Sequence, residues 1–216
     1  MIFRELLAAA REELQDTIGT QDSDFALTSS MALRYFREAE SEACRRSRLL
    51  VDADTAEICT VAITAGQAVY PLDQRVVKIL SAELAGRSTP LFKTFRTEMP
   101  AGWKDHTGSI QSWVNDYATG KIYFYRKPDE NGVVTLTVQR TPLVDMTASG
   151  SPEIPARYHY GLINYVVGKV CGIQDKELYN PVKAAAFMGL FDDEFGPKRS
   201  AHNEAYESSQ PYSEDE

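Results

Sequence analysis

The hydrophobic pattern of this chain changes period twice, and that double switch is what most limits the folds open to it. Helical spacing runs through both ends, whereas the middle third alternates at the two-residue period of short strands separated by turns. Neither end is long enough to bury an apolar face by itself. The simplest solution packs the two ends together and lets the strand region project as an insertion. The expected fold is therefore α+β: a helical bundle built from both chain ends, an inserted antiparallel β-sandwich or small barrel, and an extended C-terminal tail. The expected boundaries are 1–55 for the N-terminal helices, 56–145 for the β module, 146–196 for the C-terminal helices and 197–216 for the tail.

Phe3, Leu6, Leu7, Ala10, Leu14 and Ile18 define a first helix that Gly19 stops. After a polar link rich in N-capping residues, a second helix runs to about Leu50. Its core stripe is Leu33, Phe36, Ala43 and Leu50, widened by Met31, Tyr35 and Ala39. Cys59, Val61 and Ile63 then open the strand region. Met99 to Gly108 reads as irregular or briefly helical, with Pro100, Gly102 and Gly108 as breakers. Residues 112–117 and 121–125 make a hairpin around Ala118-Thr119-Gly120, and Asn131-Gly132 precedes a strand with Val134, Leu136 and Val138 on one face. In 121–125 both faces are apolar, which suggests a sheet covered on both sides, for instance by a neighbouring subunit.

Residues 149–155 read as a linker rich in Ser, Gly and Pro. A third helix starts near Pro155, with an apolar face of Tyr158, Leu162, Tyr165, Val166, Val170 and Ile173. Gly168 and Gly172, one turn apart, invite a neighbouring helix to approach closely. Asn180-Pro181 caps and opens a fourth helix that ends at Phe195-Gly196-Pro197. Beyond it, twenty residues hold almost nothing apolar except Ala201, Ala205, Tyr206 and Tyr212. Such a segment cannot build a core and is expected to take its shape on another molecule.

Charge and chemistry narrow the function. A net charge of −8 argues against general nucleic-acid binding, yet suits a surface that duplex DNA slides past. Three scattered cysteines form neither a disulfide framework nor a zinc pattern. The longest dense apolar run, Leu162 to Ile173, is interrupted by Asn164 and Lys169 and is too short to cross a bilayer. The N-terminus carries Glu5, Glu12 and Glu13 and lacks a signal-peptide layout, pointing to a reducing, cytoplasm-like space. His106, His159 and His202 share no metal-ligand spacing, and no nucleophile elbow, phosphate loop or dinucleotide fingerprint is present. The expectation is no catalytic, cofactor or metal site. Arg45, Arg46 and Arg48 form one compact basic cluster. It either complements the dipole at a helix C-terminus or docks an acidic partner.

Several segments together resemble the head–tail adaptor (connector) proteins of tailed bacteriophages, particularly short-tailed ones. They are Arg-Glu-Ala-Glu-Ser-Glu-Ala-Cys (37–44), Thr-Ala-Gly-Gln-Ala-Val-Tyr-Pro-Leu (64–72), Pro-Glu-Ile-Pro-Ala-Arg-Tyr-His-Tyr-Gly-Leu (152–162) and Asp-Lys-Glu-Leu-Tyr-Asn-Pro-Val-Lys-Ala-Ala (175–185). The resemblance implies a non-enzymatic virion component, made in the host cytoplasm, that forms a ring, usually dodecameric, around the DNA channel. Its partners would be the portal protein above and a tail nozzle or other tail protein below, with double-stranded DNA passing without sequence-specific binding and no membrane involved. The C-terminal segment would lie against the portal, making Lys198, Arg199, His202, Tyr206 and Tyr212 the expected docking residues. Two other readings stay open: a β-sandwich module of a virion that recognises a glycan or a cell-surface ligand through Trp103, Trp113 and nearby tyrosines, and a cell-wall hydrolase using carboxylates near Asp105 and His106.

Overall fold

The computed structural model describes residues 1–174 and 177–198, with backbone only at 115–117. It is α+β, with five helices and two four-stranded sheets, and it divides into two compact units. The described part of the first unit joins Met1–Leu50 to Thr141–Lys198; that of the second is Val51–Arg140.

The first unit is helical: α1 (Phe3–Leu14), α2 (Ser29–Arg46), α4 (His159–Cys171) and α5 (Pro181–Phe195). Helix α4 is the centre, packed against α1, α2 and α5. Its sequence is apolar nearly all round, and Ile163 and Val167 are buried as fully as Leu162 and Val166. A helix of that composition is stable only when covered on most sides. Phe3 of α1 meets Phe36 of α2 edge-on, with ring centroids 6.2 Å apart. Thr28 caps α2 and Asn180 caps α5, each side-chain oxygen accepting an N–H of the first turn, and Pro181 occupies a first-turn position that needs no donor.

Three local expectations change. Helix α1 ends at Leu14 because Gln15 adopts a left-handed C-cap, φ 61°, and Asp16 turns back to accept the Ala26 and Leu27 N–H groups. Ile18 is consequently 92% exposed. On α2 the buried stripe is Ala32, Phe36, Ala39, Ala43 and Cys44, rotated away from Leu33, because small residues let α2 settle against α4. Residues 149–155 are pinned rather than loose. The Gly150 carbonyl accepts the Phe3 N–H at 2.8 Å, and Ile154 is buried in the core.

In the second unit, β8 (Gly132–Arg140) is the hub of one sheet. It pairs antiparallel along one edge with β4 (Val76–Leu84) and along the other with β1 (Val51–Asp52) and β2 (Thr60–Ile63). The short helix α3 (Ala56–Cys59) precedes β2, so the expected strand begins later than Cys59. Val134, Leu136 and Val138 are fully buried. The other sheet runs β3 (Val69–Pro71), β7 (Lys121–Tyr125), β6 (Ser112–Ala118), β5 (Phe92–Thr94). Gly120 supplies the positive φ of the β6–β7 turn, at 67°. The described residues form no closed barrel, and the pairing is not wholly antiparallel, since β5 runs parallel to β6. A parallel neighbour needs a long crossover. Residues 95–111, with their 3₁₀ turns Arg96–Glu98 and Trp103–Asp105, provide it.

Candidate docking surfaces

The basic cluster at the end of α2 divides into different roles. Arg46 turns inward. Its Nε donates to Glu42 Oε1 at 3.0 Å, and its Nη1 to Asp192 Oδ1 at 2.5 Å and the Gly196 carbonyl at 2.9 Å. The guanidinium carbon also sits 5.0 Å from the centre of the Phe191 ring. Beside it the Ser47 hydroxyl donates to the Phe195 carbonyl at 2.9 Å. These contacts tie the last turn of α5, and the chain leaving it, to the last turn of α2. Arg45 and Arg48 lie on the surface, Arg45 with its Nη1 3.2 Å from Glu42 Oε2. Lys198, the final described residue, is exposed, whereas Arg199, His202, Tyr206 and Tyr212 lie outside the described residues.

Among the described residues, neither tryptophan of the β unit lies in an exposed stacking platform. Trp113 is 1% exposed. Trp103 lies over Tyr123 at 4.6 Å between centroids, with planes 74° apart. Tyr123 and Tyr125 occupy the second apolar face of β7, which the crossover covers with Met99 and Trp103. This chain's own crossover thus supplies cover for that face. Coplanar, exposed rings suited to a glycan are absent from this pair. His106 pairs through Nδ1 with the Tyr125 hydroxyl at 3.0 Å, on the surface next to exposed Asp105.

The polar groups that matter most inside the fold carry no motif. Asp52, beside the entry to the β unit, accepts from Arg140 Nε at 2.6 Å, and Arg140 is the last residue of that unit. The same carboxylate accepts the Asp54 and Thr55 N–H groups and the Thr55 hydroxyl. Burial opposes its ionisation, but the Thr55 contacts and the guanidinium outweigh it and hold the carboxyl well below the usual range. Glu40 of α2 is 1% exposed and accepts the N–H groups of Glu153 and Ile154. Burial raises its pKa, only partly countered by those two donors. For Asp52 the sole sequence signal was a charge following Leu49-Leu50-Val51; Glu40, one of three glutamates within Arg37–Glu42, carried none.

Cys44, Cys59 and Cys171 are buried, and burial, helped by the Asp52 carboxylate, pushes the Cys59 thiol up to about 11. A protonated, enclosed thiol is a poor nucleophile. Among the described residues no group of three or more His, Cys, Asp or Glu could hold a metal ion, and no helix is long and apolar enough to cross a membrane.

Helix α5 has a face that stands out. Residues 184–191 carry no polar side chain, yet only Phe191 and Phe195 of this helix are buried. Inward, Gly168 of α4 lets Met188 and the Ala184 carbonyl approach closely, and Gly161 does the same for Glu194 and Phe195. Outward, Val182 is 79% and Leu190 50% exposed, with Ala185 and Ala186 exposed between them.

Comparison with known proteins gives one family. The family model described as SU10 adaptor protein matches residues 1–212, which takes in both units. No curated protein matches the chain.

Proposed function

This chain belongs to the SU10 adaptor protein family, and on that premise we propose that it forms the ring joining portal to tail at the head–tail junction of a tailed phage. Membership implies a structural phage adaptor, located in the virion and in contact with other head and tail proteins. The observation that carries the proposal is the extent of the match, since it spans the helical unit and its insertion together rather than one module. In this reading α1, α2, α4 and α5 form the bundle that builds the ring, usually of twelve copies. Residues 197–216 reach the portal through Lys198, Arg199, His202, Tyr206 and Tyr212. Arg45 and Arg48 add a surface for an acidic partner, with Arg46 holding the α2 end beneath them. A tail nozzle or other tail protein binds below. A charge of −8 on each copy, repeated around the channel, lets DNA pass without sticking.

Two tyrosines suit a docking segment, because each buries a large area while freezing few rotors. Deleting residues 197–216 is expected to leave a folded protein, by circular dichroism, that no longer joins purified portal rings in a pull-down or by electron microscopy. Unimpaired joining overturns the tail assignment.

A further inference from the structure

We propose that the outer face of α5 is a self-association surface, occupied by α5 of a second copy in an antiparallel, two-fold contact. This inference goes beyond the portal reading and does not rest on it.

The first argument is composition. A helix apolar on all sides is normally covered on all sides. Here one side of α5 lies against α4, and the other leaves Val182, Ala185, Ala186 and Leu190 exposed. Val182, Ala186, Gly189 and Asp193 follow one another at spacings of four, three and four, so they form a single stripe about three turns long. A Cβ added at Gly189 would meet nothing within 4 Å, which leaves room for another helix to come close.

The second argument is charge. Carboxylates oppose the dipole at a helix C-terminus, and α5 ends in Asp192-Asp193-Glu194 with no basic residue in its last turn. Asp192 is answered by Arg46, and Glu194 lies over Gly161 of α4. Asp193 is exposed at the end of the apolar stripe. The opposite end presents the helix N-terminus, whose dipole is positive, with Lys183 next to Val182 donating its Nζ to the Glu13 carbonyl. Antiparallel pairing centred between Phe187 and Met188 sets Asp193 of each copy against that end of the other. It also sets Ala186 against Gly189. The helix is thus complementary to itself in both shape and charge. A two-fold contact closes on itself, so the pair is a dimer formed outside any ring.

The test is sedimentation of the full chain across roughly a hundredfold range of concentration, because a dimer dissociates by mass action. The wild type is expected to run as a dimer. Val182→Glu with Leu190→Glu is expected to give a monomer with unchanged circular dichroism and melting, since both side chains are exposed. Asp193→Lys is expected to weaken association by about tenfold. Ala186→Cys with Gly189→Cys is expected to yield a disulfide-linked dimer on oxidation. A wild type that stays monomeric throughout overturns the inference, as does a dimer indifferent to the two glutamates. A monomer that dimerises only after removal of residues 199–216 also overturns it, by assigning the face to the chain's own tail.

Discussion

Two buried carboxylates obey opposite rules in this chain. Asp52 is ionised, because the donors of Thr55 and Arg140 outweigh its burial. Its folded pKa lies below the unfolded value, so its stabilisation is complete above roughly pH 4 and fades as pH falls toward the folded value. Asp52→Asn should destabilise the β unit by about 2–4 kcal/mol at neutral pH, since it removes the carboxylate charge that faces a buried guanidinium. That loss, read from urea midpoints, should shrink when the measurement moves below pH 4. Glu40 has its pKa raised by burial, so ionisation at higher pH works against the fold. Glu40→Gln keeps an acceptor for the Glu153 and Ile154 N–H groups and removes the buried charge. It should be neutral or stabilising at pH 8 and give less benefit at pH 5. Glu40→Ala should lose about 1–3 kcal/mol at either pH, because two buried donors are orphaned.

At the scale of elements, α5 is held by a close helix contact and by one arginine. Adding a methyl group at Gly161 meets the ring of Phe195 at 2.8 Å, and Phe195 is a core residue with no room to move. Gly161→Ala should therefore lose about 1–2 kcal/mol net, overpacking exceeding the gain in helix propensity. Gly168→Ala should matter less, because its nearest neighbour is the flexible Met188 side chain; thermal melts of the two variants would rank them. Arg46 joins α2 to α5 through Asp192 and the Gly196 carbonyl, while Glu42 of its own helix holds the guanidinium in place. Arg46→Ala should lose about 1–3 kcal/mol, the half-exposed Asp192 moderating the effect. Arg46→Lys should rescue little, because an ammonium cannot reproduce the fork.

At the scale of the whole molecule, the β unit is an insertion whose ends meet. Val51 pairs with Gln139 and Asp52 with Val138, and the Asp52–Arg140 ion pair closes the stem. Residues 51–140 expressed alone should therefore fold cooperatively, and a short Gly-Ser link from Leu50 to Thr141 should leave the helical unit folded; dispersed amide spectra would check both. Loop-closure entropy changes only slowly with length, so neither cut removes much besides contacts. The sequence by itself determined the helix–strand–helix order, the cap at Asn180, the Gly120 turn and the buried face of β8, because each follows from local periodicity or backbone chemistry; for α2 it offered Asp22, Ser23, Asp24, Thr28 and Ser29 as caps, and the structure selects Thr28. Its expected α+β class holds at the level of two sheets and five helices, and its resemblance to phage adaptors agrees with the family match. Only the tertiary structure decided that α4 is central, that Arg46 faces inward while Arg45 and Arg48 do not, that the crossover covers the Tyr123 face, and that Asp52 finds Arg140 across 88 residues. Those outcomes depend on which distant segment arrives at a given face, and a one-dimensional pattern records a residue's polarity but not the neighbour that will satisfy it.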